Sequence, residues 1–263
     1  MSFLEALVLG IIQGLTEFLP VSSSGHLEIG KFLFGIRSSG SFYFSVALHG
    51  ATVLSTLFVF RKDILLLVKD LLMFKYNEGT RFVLLILVST IPVLIVGLLF
   101  KDEVETLFTG NILFVGIMLM ITALILFLTG YRKREGRAIN FTDSVIIGLA
   151  QALAVLPGLS RSGATIGTGL ILGNRKDEIA RFSFLMVIIP VIGANILGLA
   201  GLENNGESGS IPLIITGFFA AFITGIFACK WMVALVKKSK LVWFAVYCLI
   251  VGLILLIASQ VTI

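Results

Sequence analysis

The sequence predicts an all-α polytopic membrane protein built from two inverted repeats, each a re-entrant helical hairpin followed by three transmembrane helices. The prediction rests on the composition, on a set of long uncharged segments, and on two interrupted apolar regions that resemble each other. Of the 263 residues, 57% are hydrophobic and 13% are charged. A soluble domain carries about 25% charged residues, so this chain has too few charges to cover a surface in water. We expect one integral membrane domain over residues 1–263.

Six segments contain no Asp, Glu, Lys or Arg and are long enough as helices to cross about 30 Å of hydrocarbon. They are residues 42–60, 82–100, 112–130, 182–202, 211–229 and 241–263. Pro92 and Pro190 are expected to kink the helices that contain them. His49 lies alone among apolar residues, and we interpret it as a packed polar side chain.

Two further regions are apolar but interrupted. Residues 1–40 contain Glu17, Pro20 and a Ser-Ser-Ser-Gly-His run at 22–26. Residues 143–174 contain a Pro-Gly-Leu-Ser-Arg-Ser-Gly run that begins at Pro157. Neither region offers a continuous span, so each is predicted to form two short helices joined by a polar tip. Irregular backbone at membrane depth is tolerated only where protein buries it or where it lines a water-filled cavity.

The basic residues predict the orientation. They are dense in four connecting stretches, at 61–81, 131–142, 174–181 and 236–240, and sparse in two others, at 101–111 and 203–210. The positive-inside rule puts the dense stretches in the cytoplasm and the sparse ones outside. Hairpin 143–174 then enters from the cytoplasm, and hairpin 1–40 enters from the outer face. Because the net charge of +5 is explained by this anchoring, nucleic acid is not expected as a partner.

The two interrupted regions align with each other. Residues 14–17 (Gly-Leu-Thr-Glu) match residues 148–151 (Gly-Leu-Ala-Gln), and a Leu-Pro pair and a Ser-Gly pair follow in both. Each region precedes three full spans, which gives repeats of about 1–131 and 139–263. Inverted repeats of this kind commonly form a binding site where the two copies meet.

Ionisable side chains at bilayer depth indicate a functional site, because each costs about 2.5–3.5 kcal/mol on insertion scales. Glu17, His26 and Arg161 are the candidates, and all three lie in the hairpins. Gln13 is four residues before Glu17, so a helix places both on one face.

Hydroxyl groups surround these charges. The first hairpin contributes Ser22, Ser23 and Ser24, and the second contributes Ser160, Ser162 and Thr165. A helix that begins near Gly163 would direct free N–H groups at an anion, and Arg161 offers a bidentate fork suited to phosphate. The combination predicts an oxyanion cradle inside the membrane. A purely structural salt bridge between Arg161 and Glu17 is the alternative, and any single serine can serve helix packing instead.

Two motifs carry a family resemblance. Residues 13–26, QGLTEFLPVSSSGH, resemble the first signature of the undecaprenyl-diphosphate phosphatase family of the bacitracin-resistance type, [E/Q]-x-x-x-E followed by a serine-rich turn that ends in Gly-His. Residues 157–165, PGLSRSGAT, are similar to its second signature, P-G-x-S-R-S-x-x-T. The resemblance covers essentially the whole chain. At the first position of this signature the chain has Gln13 rather than Glu, a choice that the family pattern allows.

The resemblance implies hydrolysis of a C55 polyprenyl diphosphate to the monophosphate. This reaction recycles the lipid carrier of cell-wall synthesis and gives bacitracin resistance. It also implies a divalent cation, Mg or Ca, and an active site open to the outer face of the plasma (inner) membrane. Glu17 is the expected metal ligand.

The roles follow from the chemistry. Arg161 is expected to hold the phosphates, helped by the hydroxyls of the second hairpin, and Glu17 is expected to hold the cation or to orient the nucleophile. Ser23 is the favoured nucleophile, deprotonated by His26 or Glu17. A directly attacking water and a phosphohistidine at His26 remain alternatives. The predicted catalytic residues are Glu17, Ser23, His26 and Arg161, and the predicted substrate-binding residues are Gln13, Ser22, Ser24, Ser160, Ser162 and Thr165.

Other functions fit the same pattern less well. A secondary transporter or flippase for an anionic lipid or solute also uses inverted repeats and a polar site near the midplane. A membrane scaffold does not explain Glu17 and Arg161 at depth. The glycine-rich helix faces would suit a homodimer.

Overall fold

The computed structural model describes residues 1–36, 41–100, 103, 106–107, 111–131, 136–200, 210–238 and 240–261. Over these residues the fold is helical, apart from an isolated bridge between Arg137 and Asn174. The helices are α1 (Phe3–Phe18), α2 (Ser23–Leu33), α3 (Ser41–Val59), α4 (Arg61–Leu72), α5 (Glu78–Leu99), α6 (Ile112–Leu128), α7 (Phe141–Leu153), α8 (Arg161–Ile171), α9 (Lys176–Met186), α10 (Ile188–Ala200), α11 (Ile211–Lys237) and α12 (Val242–Val261).

Five helical segments are long and apolar enough to cross a membrane. They are Glu78–Leu99, Ile112–Tyr131, Lys176–Ile196, Ile211–Lys237 and Val242–Gln260. Their outer faces carry large apolar side chains that water would not tolerate in such number, among them Leu98, Phe227 and Trp243, each more than 60% exposed. The five correspond to five of the six predicted spans, and the prediction of a multi-pass membrane protein is confirmed. The sixth, 42–60, is a shorter apolar helix over Tyr43–Val59.

Some predicted boundaries were wrong. The span placed at 182–202 begins already at Lys176, and it is divided at Val187 into α9 and α10. Pro190 explains the division, because a proline cannot donate to the carbonyl four residues earlier. Pro92 lies within α5, which continues through it. The stretch 61–81 is not only a loop, since it contains α4.

The two interrupted regions each form a pair of short helices, as predicted. Helices α1 and α2 are joined at residues 19–22, and α7 and α8 at residues 154–160. The second helix of each pair begins with a serine N-cap. Ser22 Oγ accepts a hydrogen bond from the Gly25 N–H at 3.2 Å, and Ser160 Oγ accepts one from the Gly163 N–H at 3.1 Å. Such caps fix where the helix starts, so the same chemistry positions both polar tips.

Glycines bring the first helix of each pair against a long helix. Helix α1 packs on α11, and α7 packs on α5. A Cβ at Gly14 would lie 2.6 Å from the Ala221 carbonyl oxygen, and a Cβ at Gly148 would lie 2.9 Å from the Ser89 Cα. Both distances are too short for any side chain, so glycine at these two positions allows the close packing of the helices.

A network of charged and polar groups fixes the start of α7. Both Nη groups of Arg137 donate to the Asp143 carboxylate, at 2.5 and 2.7 Å, and Asn174 Nδ2 donates to it at 2.9 Å. Asn140 and Asp143 also form a reciprocal capping box. Burial opposes ionisation of Asp143, but these hydrogen bonds outweigh it and hold its pKa below the usual value.

The predicted outer stretches 101–111 and 203–210 fall largely outside the described residues, as do residues 132–135 of a predicted cytoplasmic stretch. Their placement stays a prediction.

Candidate active site

The two helix pairs meet at a cavity of about 370 Å³. The polar tips and the last turns of α1 and α7 reach it, together with parts of α3, α5 and the α9–α10 junction. Its polar lining residues are Thr16, Glu17, Ser23, Ser24, His49, Gln151, Ser160 and Arg161. The remaining lining is apolar, from residues such as Val93 and Pro190. A few convergent polar groups in an otherwise apolar cavity of this size are typical of a small-molecule or headgroup site.

Glu17 is the centre of the site. It lies near the end of α1, and its side chain is only 9% exposed. Ser23 Oγ donates to Oε2 at 2.7 Å, Gln13 Nε2 donates to the same oxygen at 2.9 Å, and Arg161 Nη2 donates to Oε1. An isolated buried carboxylate is very unfavourable, so these donors and the guanidinium charge are what allow Glu17 to remain ionised here.

The tip of the first pair holds its three serines in different ways. Ser22 has a φ of 70°, a region that side chains other than glycine rarely occupy. Its carbonyl accepts from the His26 backbone N–H and contacts His26 Nδ1 at 2.8 Å, which keeps the tight turn in place. Ser23 and Ser24 line the cavity. Ser24 Oγ also accepts from the Gly158 N–H at 3.3 Å, so it ties the first tip to the second.

Arg161 begins α8 and reaches across to the first pair. Its side chain is 17% exposed and lies against Glu17, 144 residues away in sequence. A guanidinium has five N–H donors, and the bond to Glu17 occupies only one Nη group. Ser160 lines the cavity beside it as the N-cap of α8. Ser162 is buried, and its Oγ donates a hydrogen bond to the Leu19 carbonyl at 3.2 Å.

Five predicted site residues lie outside the cavity lining: Gln13, Ser22, His26, Ser162 and Thr165. Of these, His26 and Thr165 are bonded to side chains of other helices. His26 directs its ring at Tyr247, with Nε2 2.7 Å from the tyrosine hydroxyl and the two rings stacked. Its other ring nitrogen is engaged with Ser22, so neither nitrogen contacts Ser23. Thr165 is fully buried and shares a 2.6 Å hydrogen bond with Ser183 of α9. The contacts of Thr165 join α8 to α9 rather than reaching the cavity.

Sequence reasoning missed two residues of the site. His49 is not an isolated packed residue: its Nε2 lies 3.9 Å from Glu17 Oε2, and its Nδ1 lies 2.8 Å from the Ser45 carbonyl. Gln151 lines the cavity from the second pair. One signal was present for each. His49 is the ionisable residue of an otherwise uncharged span, and Gln151 aligns with Glu17 in the repeat.

Comparison with known proteins agrees with the motifs. The family model for bacitracin resistance protein BacA matches residues 6–254. An undecaprenyl-diphosphatase from Christiangramia forsetii is 55% identical over 255 residues, which cover 96% of this chain and 97% of that protein. An undecaprenyl-diphosphatase from Bacteroides fragilis is 52% identical, with 99% of both chains covered. One from Carboxydothermus hydrogenoformans is 41% identical, with 98% of this chain and 97% of that protein covered.

Proposed function

The chain belongs to the bacitracin resistance protein BacA family, and from this membership and the Glu17 cavity we propose that it hydrolyses undecaprenyl diphosphate to undecaprenyl phosphate and inorganic phosphate. It is a membrane-embedded phosphatase. Its reaction recycles the lipid carrier of cell-wall synthesis and gives resistance to bacitracin. The observation that carries the proposal is the carboxylate of Glu17, which accepts from Ser23 of its own helix pair and from Arg161 of the other at one cavity.

The first chemical step uses Ser23 as nucleophile. Glu17 takes the Ser23 proton along the existing 2.7 Å hydrogen bond, and the serine oxygen attacks the terminal phosphorus. The bond from that phosphorus to the bridging oxygen breaks, and undecaprenyl phosphate leaves. Water then attacks the phosphoserine, inorganic phosphate is released, and the proton returns to Ser23. The sum is one diphosphate and one water converted to two monophosphates.

Arg161 binds the phosphoryl group during this step. In the free site its charge is balanced by Glu17, but Glu17 becomes neutral when it takes the serine proton. The loss of that charge frees the guanidinium for the phosphate oxygens as the phosphoryl group is transferred. The N-terminal end of α8, capped by Ser160, adds a favourable dipole for an anion. Positioning and charge neutralisation are the principal tasks in phosphoryl transfer.

Two histidines have different roles. His49 faces Glu17 with Nε2 and is the next group able to accept the proton that Glu17 takes. His26 holds the Ser22 turn against Tyr247 and so positions Ser23. This geometry favours Glu17 over His26 as the base for Ser23.

A divalent cation, Mg or Ca, would be held at the cavity by oxygen donors of the protein. Among the described residues no cluster of three His, Cys, Asp or Glu side chains forms a metal cage. Glu17 and the hydroxyls of Ser23 and Ser24 are nevertheless oxygen donors of the kind that these cations accept, and these residues would hold the cation beside the diphosphate. The bound cation would neutralise diphosphate charge.

The architecture is two inverted repeats with re-entrant hairpins. The packing supports it, since the first helix of each pair contacts a middle span of the other repeat (α1 with α11, α7 with α5), and the last spans α6 and α12 contact each other. Contacts among the basic stretches support the orientation. Arg181 pairs with Asp63 at 2.9 Å, and Arg81 donates to the Ile139 carbonyl at 2.8 Å. With that end in the cytoplasm, the first pair enters from the outer face of the plasma membrane, and the lipid diphosphate reaches the cavity from that side. Homodimer formation stays a prediction.

Phosphate release tests the function directly. Purified protein in detergent, given a polyprenyl diphosphate and Mg²⁺, is expected to release inorganic phosphate. A transporter or flippase would release none, and that result would overturn the proposal.

Replacement of the nucleophile tests the mechanism. Ser23→Ala is expected to abolish turnover while diphosphate binding persists, because only the attacking oxygen is lost. Ser24→Ala is the matched neighbour and is expected to retain a measurable rate. Substantial turnover by Ser23→Ala would favour direct attack by water or a phosphohistidine.

A further inference from the structure

Gln151 is a buried amide at the cavity, and none of the described residues bonds it. It lies in the last turns of α7, it is 2% exposed, and it lines the same cavity as Glu17 and Arg161. Neither its Oε1 nor its Nε2 has a hydrogen-bond partner among the described residues. Burial of an unpaired amide opposes folding. An apolar side chain of the same length would fill this space without that cost, so packing alone does not explain an amide at this position.

Other buried amides of the described chain are bonded to protein. Asn174 Nδ2 donates to Asp143 at 2.9 Å, and Gln13 Nε2 donates to Glu17 at 2.9 Å. In these two residues only the amide oxygen has no partner among the described residues. Each of these therefore has a visible structural task. In Gln151 neither polar atom has a partner among the described residues, and the residue lines the cavity where a ligand would bind.

A neutral amide suits an anionic ligand at this position. Gln151 aligns with Glu17 in the repeat, so the first pair supplies a carboxylate where the second supplies its uncharged counterpart. A second carboxylate would repel a diphosphate, whereas an amide Nε2–H can donate to a phosphate oxygen. The amide Oε1 can only accept hydrogen bonds. It is therefore available to a water molecule that accompanies the phosphate.

We propose that Gln151 is a substrate-binding residue, whose Nε2–H donates to the terminal phosphate of the lipid diphosphate from the second helix pair. The proposal rests on the proposed phosphatase function and extends it. Arg161 and Ser160 approach the same phosphate from the start of α8, and Gln151 approaches it from the end of α7. The helix pair 141–171 thus supplies both a charged and a neutral contact.

Gln151→Met tests the proposal, because Met keeps the length of the side chain and removes its two polar atoms. The kcat/KM for polyprenyl diphosphate is expected to fall about 10- to 100-fold, as for the loss of one hydrogen bond to a charged group. The Tm in detergent is expected to equal or exceed that of the wild type, since no protein hydrogen bond is lost. An unchanged kcat/KM would overturn the proposal.

Asn174→Leu is the matched control for general damage. It removes a buried amide that is bonded to protein and lies away from the cavity, so its Tm is expected to fall while the kcat/KM of the folded protein stays close to wild type. If Gln151→Met instead lowered the Tm as Asn174→Leu does and left kcat/KM intact, Gln151 would be structural and the proposal would be wrong.

Binding of a non-hydrolysable probe separates this proposal from the function itself. A short-chain prenyl methylenediphosphonate is expected to raise the Tm of the wild type and to raise that of Gln151→Met much less. Absence of phosphate release by the wild type would overturn the phosphatase function, and the probe would still test Gln151. Equal shifts for both proteins would overturn the binding role, whatever the turnover.

Discussion

Each helix of the pair 141–171 has an arginine–carboxylate contact near its first residue, and the two contacts differ in the groups around the carboxylate. Arg137 and Asp143 meet at the start of α7 through two hydrogen bonds of 2.5 and 2.7 Å, and Asn174 and the Asn140 backbone complete the carboxylate's partners. Arg161 and Glu17 meet at the tips of the two helix pairs, next to a cavity of about 370 Å³.

The comparison separates a structural pair from a reactive one. Both oxygens of the Asp143 carboxylate accept hydrogen bonds from protein groups. Arg137 and Asn140 bond it from the start of α7, and Asn174 joins it to the end of the helix pair. The carboxylate of Glu17 accepts from a hydroxyl that is itself exposed to the cavity, and the unpaired amide of Gln151 lies in the same lining. An arginine–carboxylate contact by itself is therefore no sign of function. Polar groups that the protein leaves for a ligand are the better sign.

The largest expected difference between the two pairs is in turnover. Glu17→Gln removes the base and is expected to lower kcat about 10³-fold, within the usual range for general-base catalysis. Asp143→Asn makes the same chemical change in the other pair and is expected to leave the kcat of the folded protein close to wild type. Phosphate release, normalised to folded protein, measures both. Equal losses of kcat would contradict the distinction.

Replacement of the two arginines by lysine gives the next largest difference. Arg161→Lys keeps the charge but loses the planar fork, and we expect kcat/KM to fall about 100-fold. Arg137→Lys is expected to leave kcat/KM near the wild-type value, because its role is to hold Asp143. Steady-state kinetics on a polyprenyl diphosphate decide between them. Full activity of Arg161→Lys would favour a salt bridge without a role in phosphate binding.

Stability should respond in the opposite order. Asp143→Ala removes the acceptor of three side-chain hydrogen bonds, and we expect the free energy of unfolding to fall by about 2–3 kcal/mol. Arg137 is half-exposed, so water can solvate it once its partner is lost. Thermal unfolding in detergent, followed by Trp231 and Trp243 fluorescence, measures the change. A Tm equal to that of the wild type would show that the network adds little.

The pH dependence of stability gives the smallest effect. Because the pKa of Asp143 is lowered in the fold, the unfolded chain binds more protons at this group in acid. Its contribution is complete above the ordinary carboxyl pKa, about 3.9, and is lost as the pH falls through the lower folded pKa. The wild type is therefore expected to lose more Tm than Asp143→Asn between about pH 6 and pH 3. Parallel Tm curves for the two proteins would contradict this sign.

Much of the fold followed from the sequence because the relevant free energies are local. A segment such as 211–229 partitions into hydrocarbon by its own composition, and Pro190 prevents a backbone hydrogen bond wherever the helix lies. Helix α4 was not predicted. Its apolar residues lie between charged ones, so the segment was interpreted as part of a basic connection and its helical pattern was overlooked.

The site was predicted in part. Residues Glu17, Ser23, Ser24, Ser160 and Arg161 line one cavity, and the sequence pointed to them because each is polar in a region where burial of a polar group needs a partner or a ligand. His26 and Thr165 carry the same signal, yet their partners are Tyr247 and Ser183. The sequence pattern does not distinguish a buried polar group that another helix satisfies from one that is left for a substrate.

The sequence by itself determined which segments are apolar and long enough to cross a membrane, which apolar regions are interrupted and which reactive groups lie at the interruptions. Only the tertiary structure decided how those groups pair. Glu17 bonds Arg161 across 144 residues, His49 lies beside Glu17 from α3, and Gln151 has no hydrogen-bond partner in the part of the chain that the structure describes. These outcomes depend on how closely helices that are distant in sequence can pack, at Gly14 and Gly148 among other positions, and packing is a property of all the helices together.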